Sequence, residues 1–163
     1  MAIDFTHAKM YAELDSTVGV SGTRSGIPVS GQERLRDTFE VLEFSDGHNL
    51  ITFNGMYRWM ELGASDQDFL SRLQPYIIAG LGIAMPHVEV TVNGDRTFEY
   101  QTTGMAAQAG LGLDVDITRW FSVFAEYRLS YSAIDADLDG GGTLKTEPWM
   151  HHVNVGVTFS WLH

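Results

Sequence analysis

The chain has 163 residues, no cysteine, 17 glycines and a formal net charge of −11 at pH 7. The length fits a single domain, and the negative charge argues against nucleic acid as a partner. Mean hydropathy is near zero at −0.07, and no run of 18 apolar residues predicts a transmembrane helix. Alternating strands also average to a neutral hydropathy, which hides any apolar face they carry.

The most regular pattern runs from residue 104 to residue 118. Every odd position from Met105 to Ile117 is apolar, whereas the even positions hold glycine, alanine, Gln108 and two aspartates. A strict period of two predicts a β-strand with one apolar and one polar face. The strand is long for a soluble sheet, and its other face is too polar for a packed core. The pattern therefore favours a membrane barrel with apolar side chains facing lipid and a polar lumen.

Five further segments alternate in the same way and predict strands over residues 2–14, 48–59, 75–85, 120–131 and 149–161. We therefore predict an all-β fold, an antiparallel up-and-down transmembrane β-barrel of the small, eight-stranded outer-membrane type. Residues 1–163 form one barrel domain, and 15–47, 86–103 and 132–147 are its extracellular loop regions because bacterial barrels place their long loops outside. Only six long strands are visible, so either residues 15–47 hide a hairpin or two strands precede Met1.

The first residues, MAIDFTHAKMYAEL, have no basic segment followed by an apolar one and therefore no signal peptide pattern. An outer-membrane protein needs such a signal for export. We therefore expect this sequence to be a mature or engineered form, or an N-terminally incomplete version of a longer protein.

In several strands the apolar positions change parity, near residues 6–8, at Pro86, at Gly104 and above Tyr131. We interpret each change as a switch in side-chain facing, as a β-bulge produces. On this interpretation seven titratable side chains converge inside the extracellular mouth and are the candidate catalytic residues. They are His7, His48, His87, Glu89, Glu99, Asp135 and Asp137, with Lys9 and Gln101 beside them.

Imidazole and carboxylate ligands of this kind suit a divalent or redox-active metal ion, although their spacing does not identify one. The alternative is that they are solvated rim residues that bind the cations bridging lipopolysaccharide phosphates. Lower in the lumen, Glu126 and Arg128 are expected to form a structural ion pair. His151 and His152 face opposite sides of their strand and cannot share a metal.

Several segments resemble the lipid A oxidase family of small alphaproteobacterial outer-membrane barrels. They are FTHAKMYAEL, NLITFNGMYRW, PYIIAGLGIAMPHVEV, RTFEYQTTG, FSVFAEYRLSYSAIDADLDGGGTLKTE and VNVGVTFSW, and they cover nearly all of residues 2–161. The resemblance implies oxygen-dependent oxidation of the proximal glucosamine of lipid A to 2-aminogluconate. It also implies a bacterial outer-membrane location, with lipopolysaccharide and outer-membrane lipids as partners. Family members carry an additional N-terminal strand pair, which would account for the count of six.

Two other functions remain open at the level of sequence. A non-catalytic small barrel with a structural or adhesion role would show the same strands. A soluble carrier with a lipocalin-like cavity would require the chain to stay soluble without detergent. A pore is not expected, because the lumen of so small a barrel is filled by side chains.

Overall fold

A computed structural model, which describes residues 1–24, 27–59 and 69–160, shows an all-β chain. The strands are β1 (Ala2–Tyr11), β2 (Thr17–Arg24), β3 (Ile27–Arg34), β4 (Val41–Arg58), β5 (Leu73–Val92), β6 (Asp95–Tyr100), β7 (Gly104–Thr118), β8 (Phe121–Ser132), β9 (Ile134–Asp137), β10 (Thr143–Thr146) and β11 (Trp149–Phe159). Two short 3-10 turns cover Leu35–Asp37 and Phe69–Arg72. Within the described ranges no helix has the length and apolar character needed to cross a membrane.

Six long strands form one curled antiparallel sheet in the order β1-β4-β5-β7-β8-β11, and β6 pairs with residues 87–92 of β5. We call the end of the sheet that carries β6 the upper part and the opposite end the lower part. The six predicted long strands are thereby confirmed. The sheet is a half-barrel, since β1 and β11 are its two edges among the described strands. Residues 15–47 do hold a hairpin, β2–β3, but it forms its own sheet and adds no strand to the main one.

The lower part of the main sheet has an apolar outward face. It is carried by the odd-numbered residues within 3–5, 51–57, 77–83, 105–117, 121–131 and 153–159, which we call the apolar belt. Phe53 is 69% exposed, Leu111 62% and Val155 78%. Large apolar side chains thus point away from the protein interior on every strand of the main sheet.

The inward face opposite the belt is polar and buried. Arg128 binds Glu126 at 2.7 Å and Asp4 at 2.5 Å, and Gln108 donates to Thr52 Oγ1 at 2.7 Å. Tyr76, Asn54 and Asn154 extend the same set, which we call the lumen network. The predicted Glu126–Arg128 ion pair is confirmed. The buried side chains of the lumen network are hydrogen-bonded to one another, as buried polar groups usually are.

The upper part of the molecule has the opposite arrangement, with apolar side chains inside. Phe44, Val88, Val90, Ile134 and Ala136 form a buried cluster, against which Met10, Phe39, Leu42 and Leu144 pack. Acidic residues of the same strands point outward. This part has the polar exterior and apolar core of a soluble β-fold.

The interpretation of the parity changes as switches of facing was wrong for three of the four positions. At Gly104 the inward positions do change, from odd-numbered in β6, where Thr97 is buried, to even-numbered in β7, where Ala106 is buried. Even-numbered residues point inward along the whole of β5, from Tyr76 and Ile78 to Val88 and Val90. A bulge does interrupt β4, which has two more residues than β5 between its paired positions Glu43 and His48. Because the insertion has an even number of residues, even-numbered positions continue to face inward. What changes along the strand is which face is apolar and which is polar.

The three regions predicted as extracellular loops contain strands. They hold β2, β3, β6, β9 and β10 together with the upper ends of β4 and β5. The predicted outward position of Trp161 lies outside the described residues.

Candidate functional site

His87 lies on the outward face of β5, directly above the apolar belt. The tight turn at Asn93 and Gly94, both with positive φ, sets the register of β6 on β5. In this register His87 is opposite Tyr100, and Glu89 is opposite Phe98. The imidazole is 6% exposed because the rings of Phe98 and Tyr100 meet it edge-on at centroid distances of 4.4 and 4.5 Å.

Asp46 approaches the same imidazole from the β4 bulge. Its Oδ2 atom is 3.8 Å from His87 Nδ1, too far for a hydrogen bond, and Nδ1 is buried with no partner in the described part of the chain. Tyr100 Oη donates to the Asp46 carbonyl oxygen at 3.0 Å, which fixes the bulge against β6. Gly47 follows with φ +129°, and a Cβ there would strike the His7 ring, so this position requires glycine.

A second carboxylate, Glu89, lies one step higher on the same face. Arg96 donates to Glu89 at 2.6 Å and Ser45 at 3.1 Å, and the guanidinium also stacks over Phe98 at 4.3 Å. The hydrogen bond from Arg96 holds the pKa of Glu89 below its usual value, with Ser45 acting in the same direction. We call the set Asp46, His87, Glu89, Arg96, Phe98 and Tyr100 the His87 cluster.

Three predicted site residues lie apart from this cluster. Glu99 is on the other face of β6, where Gln101 donates to it at 2.9 Å and also binds the backbone of Asp137. Asp135 is exposed on β9 and pairs with Lys145 at 2.7 Å. Asp137 is exposed on the same face of β9 as Asp135. None of these three carboxylates belongs to the His87 cluster.

The two remaining predicted histidines are also separate. His7 is exposed, and its Nδ1 atom is 2.8 Å from Asn49 Oδ1. His48 points inward as predicted, fully buried, with Nε2 at 2.8 Å from Ser132 Oγ. The seven candidates therefore do not converge inside the mouth, because facing does not switch in β1, in β5 or from β8 to β9. Whether any of them is catalytic stays a prediction.

A group of side chains arranged to bind a metal ion is absent from the part of the chain that the structure describes. There, no three or more His, Asp or Glu side chains come close enough together to hold an ion. His151 and His152 face opposite sides as predicted, since His151 binds Tyr127 and His152 binds Ser130.

Sequence reasoning missed four members of the His87 cluster, Asp46, Arg96, Phe98 and Tyr100. The signal for Tyr100 was present, because counting outward from the turn at Asn93 and Gly94 places it opposite His87. Asp46 followed by Gly47 marked the bulge, but its approach to His87 depends on how β4 pairs with β5.

Comparison with known proteins gives no match. No family model, curated protein or solved structure matches this chain.

Proposed function

We propose that this chain is an outer-membrane β-barrel protein of the lipid A oxidase type. The membrane location is supported by the lower part of the main sheet, where the exposed apolar belt surrounds the buried polar lumen network. A soluble fold has the reverse arrangement. Exposed apolar area costs about 25 cal/mol per Å² in water, whereas in a bilayer it faces hydrocarbon. Membrane barrels combine an apolar exterior with a polar lumen in this way.

The height of the belt supports the same location. On β7 it runs from Met105 to Ile117, about 40 Å along the strand at 3.3 Å per residue. At a tilt of about 40° this corresponds to about 30 Å, the thickness of a hydrocarbon core.

The position of the His87 cluster supports action on lipid headgroups. The cluster faces outward immediately above the belt residues Leu81 and Ile83 of the same strand. Sugars of an outer-leaflet glycolipid would lie at this level, beside the protein and not inside it. An imidazole next to a carboxylate is suited to accept a proton from a sugar hydroxyl.

The reaction itself is proposed from the sequence resemblance. The anomeric carbon of the proximal glucosamine passes from the aldehyde to the carboxyl oxidation level, which removes two electrons, and dioxygen accepts them. Dioxygen leaves as hydrogen peroxide, and water opens the lactone that forms, so the sugar gains one oxygen atom in becoming 2-aminogluconate.

The test is a mass spectrum of lipid A from cells that carry this chain in the outer membrane behind an added signal peptide. The host should make lipid A with a free anomeric hydroxyl on the proximal sugar. We expect a gain of one oxygen atom, lost in His87→Gln and kept in the matched control His151→Gln. Folded, membrane-inserted protein without that gain would contradict the oxidase function and favour a non-catalytic barrel.

A further inference from the structure

The apolar belt contains a depression on its outward surface, with a volume of about 780 Å³. Its floor consists of three small outward side chains, those of Ala79, Ala107 and Ala109. Leu81 and Leu129 flank this floor. Gln108 lines the depression only through its backbone, because its side chain points inward and donates a hydrogen bond in the lumen network. The floor and its flanks are therefore apolar.

Pairing between strands brings these small side chains together. Ala79 of β5 is the direct partner of Ala109 of β7, and Leu81 is the direct partner of Ala107. The pairs two residues higher and two residues lower are large and well exposed, and they are Ile83 with Met105 and Ile77 with Leu111. Larger belt side chains therefore enclose the depression at both ends along the strands.

Two aromatic rings line one side of the depression. Tyr131 is the uppermost belt residue of β8, and Trp149 is its direct partner on β11, with ring centroids 5.0 Å apart. Tryptophan and tyrosine concentrate at the interface between a membrane and water. The depression thus runs from the level of this interface down among the belt residues, which is the course of a lipid chain.

The His87 cluster lies above the same part of the sheet. β5 pairs with β4 along one side, and along its other side it pairs with β7 over residues 73–84 and with β6 over residues 87–92. The cluster residues of β6 are therefore above β7, which carries two of the three floor alanines. Leu81 is six residues below His87 on β5, about 20 Å along the strand at 3.3 Å per residue. A lipid whose sugar met the cluster would have its chains beside the depression.

We propose that this depression binds one acyl chain of the glycolipid whose sugar meets the His87 cluster. The proposal rests on the proposed function and adds a chain-binding subsite to it. A second copy of this protein is a poorer occupant, because ten residues line the depression, whereas a stable protein interface uses about 20–30 residues on each side. An acyl chain gains dispersion contacts with the floor and flanks that an empty gap lacks. Its binding holds the attached sugar beside His87, as a bound remote part of a substrate orients the reacting group.

The test fills the depression and measures lipid retention directly. Ala109→Phe places a ring on the floor, and the matched control Ala125→Phe places the same ring on β8 outside the depression, both at exposed outward positions. The probe is lipid A with a free anomeric hydroxyl, added to the protein in detergent micelles and detected as bound mass by native mass spectrometry. We expect the unaltered chain and Ala125→Phe to retain one lipid A molecule and Ala109→Phe to lose it. A smaller filling of the same floor, Ala79→Leu, should also reduce the retained fraction.

Three results would overturn the proposal. Equal retention by Ala109→Phe and Ala125→Phe would mean that the depression does not hold the lipid, and so would the absence of retained lipid A from the unaltered chain. A dimer that is lost in Ala109→Phe and kept in Ala125→Phe would mean that a second copy fills the depression. Failure of the proposed function gives a different result: lipid A is retained through the depression but gains no oxygen atom.

Discussion

At the scale of single residues, Arg128 is the centre of the lumen. Its guanidinium binds Glu126 and Asp4 and lies 3.3 Å from Gln108 Oε1. The Arg128 side chain is only 9% exposed. Two carboxylates, the buried one of Glu126 and the partly exposed one of Asp4, pair with this one cation. A buried charge that loses its partner is costly, whereas exposed ion pairs contribute little.

Replacing Arg128 with methionine should therefore destabilise the protein by about 3–5 kcal/mol. The matched control is Arg36→Met, which removes an exposed pair with Asp15 and should cost less than about 1 kcal/mol. Urea unfolding in micelles measures both values. Equal losses in the two variants would show that the lumen network is not a main source of stability.

Gly82 is inward on β5 where two strands approach closely. A Cβ at this position would overlap the backbone of Ile51 and Thr52 on β4, whereas one at Gly55 would meet nothing closer than 4.0 Å. Gly82→Ala should therefore cost about 1–3 kcal/mol through overpacking, and Gly55→Ala much less. The same unfolding measurement compares them, and equal stability would contradict the close approach.

Glu89 should give the upper part a pH-dependent contribution. Its pKa is lowered in the folded state, chiefly by the hydrogen bond from Arg96, so its contribution is present above the unfolded pKa and is lost as pH falls through the folded one. Because Arg96 is about half exposed, the contribution is about 0.5 kcal/mol after screening. Glu89→Gln should lower stability at pH 7, and this loss should shrink as pH falls through the folded-state pKa of Glu89. An equal loss at every pH would refute the pairing.

At the scale of elements, strand positions follow well from alternation, and side-chain facing follows less well. The pattern over residues 104–118 predicted β7, because a strand with unlike surroundings on its two faces has a period of two. Alternation could not show which face of β5 was inward above Pro86. It reports only that two faces differ, and in the upper part the apolar face is the inward one.

The candidate site shows the same limit. His87 and Glu89 were recognised by residue type, and they do lie together on one face of β5. Asp46 joins them only through the bulge in β4, which depends on pairing between segments 40 residues apart. The prediction that the other five candidates converge was wrong, because it was derived from the assumed switch in facing.

The edge strands should also differ from the central ones in amide exchange. Among the described strands, β5 and β7 are paired on both sides, whereas β1 and β11 are paired on one. In micelles, alternate amides of β1 and β11 should exchange much faster than those of Ile77–Leu81 in β5, since backbone groups on a free edge lack partners. Uniform protection across all six strands would contradict the open sheet.

At the scale of the whole molecule, two opposite arrangements of polar and apolar side chains meet at one level. Below Pro86 the main sheet is polar inside and apolar outside, and above it the core is apolar. Two continuous strands, β4 and β5, pass from one arrangement to the other. A chain placed at a membrane surface would need this division, and the His87 cluster lies at the boundary.

The most direct test of this account is the accessibility of single spin labels on the cysteine-free chain in lipid vesicles. Labels are placed at Leu111→Cys on the belt and Asp95→Cys in the upper part, both exposed. Relaxation by oxygen, which concentrates in lipid, is compared with relaxation by a polar nickel complex. We predict that Leu111→Cys responds to oxygen and Asp95→Cys to nickel. A nickel response at both positions would contradict the membrane-facing belt.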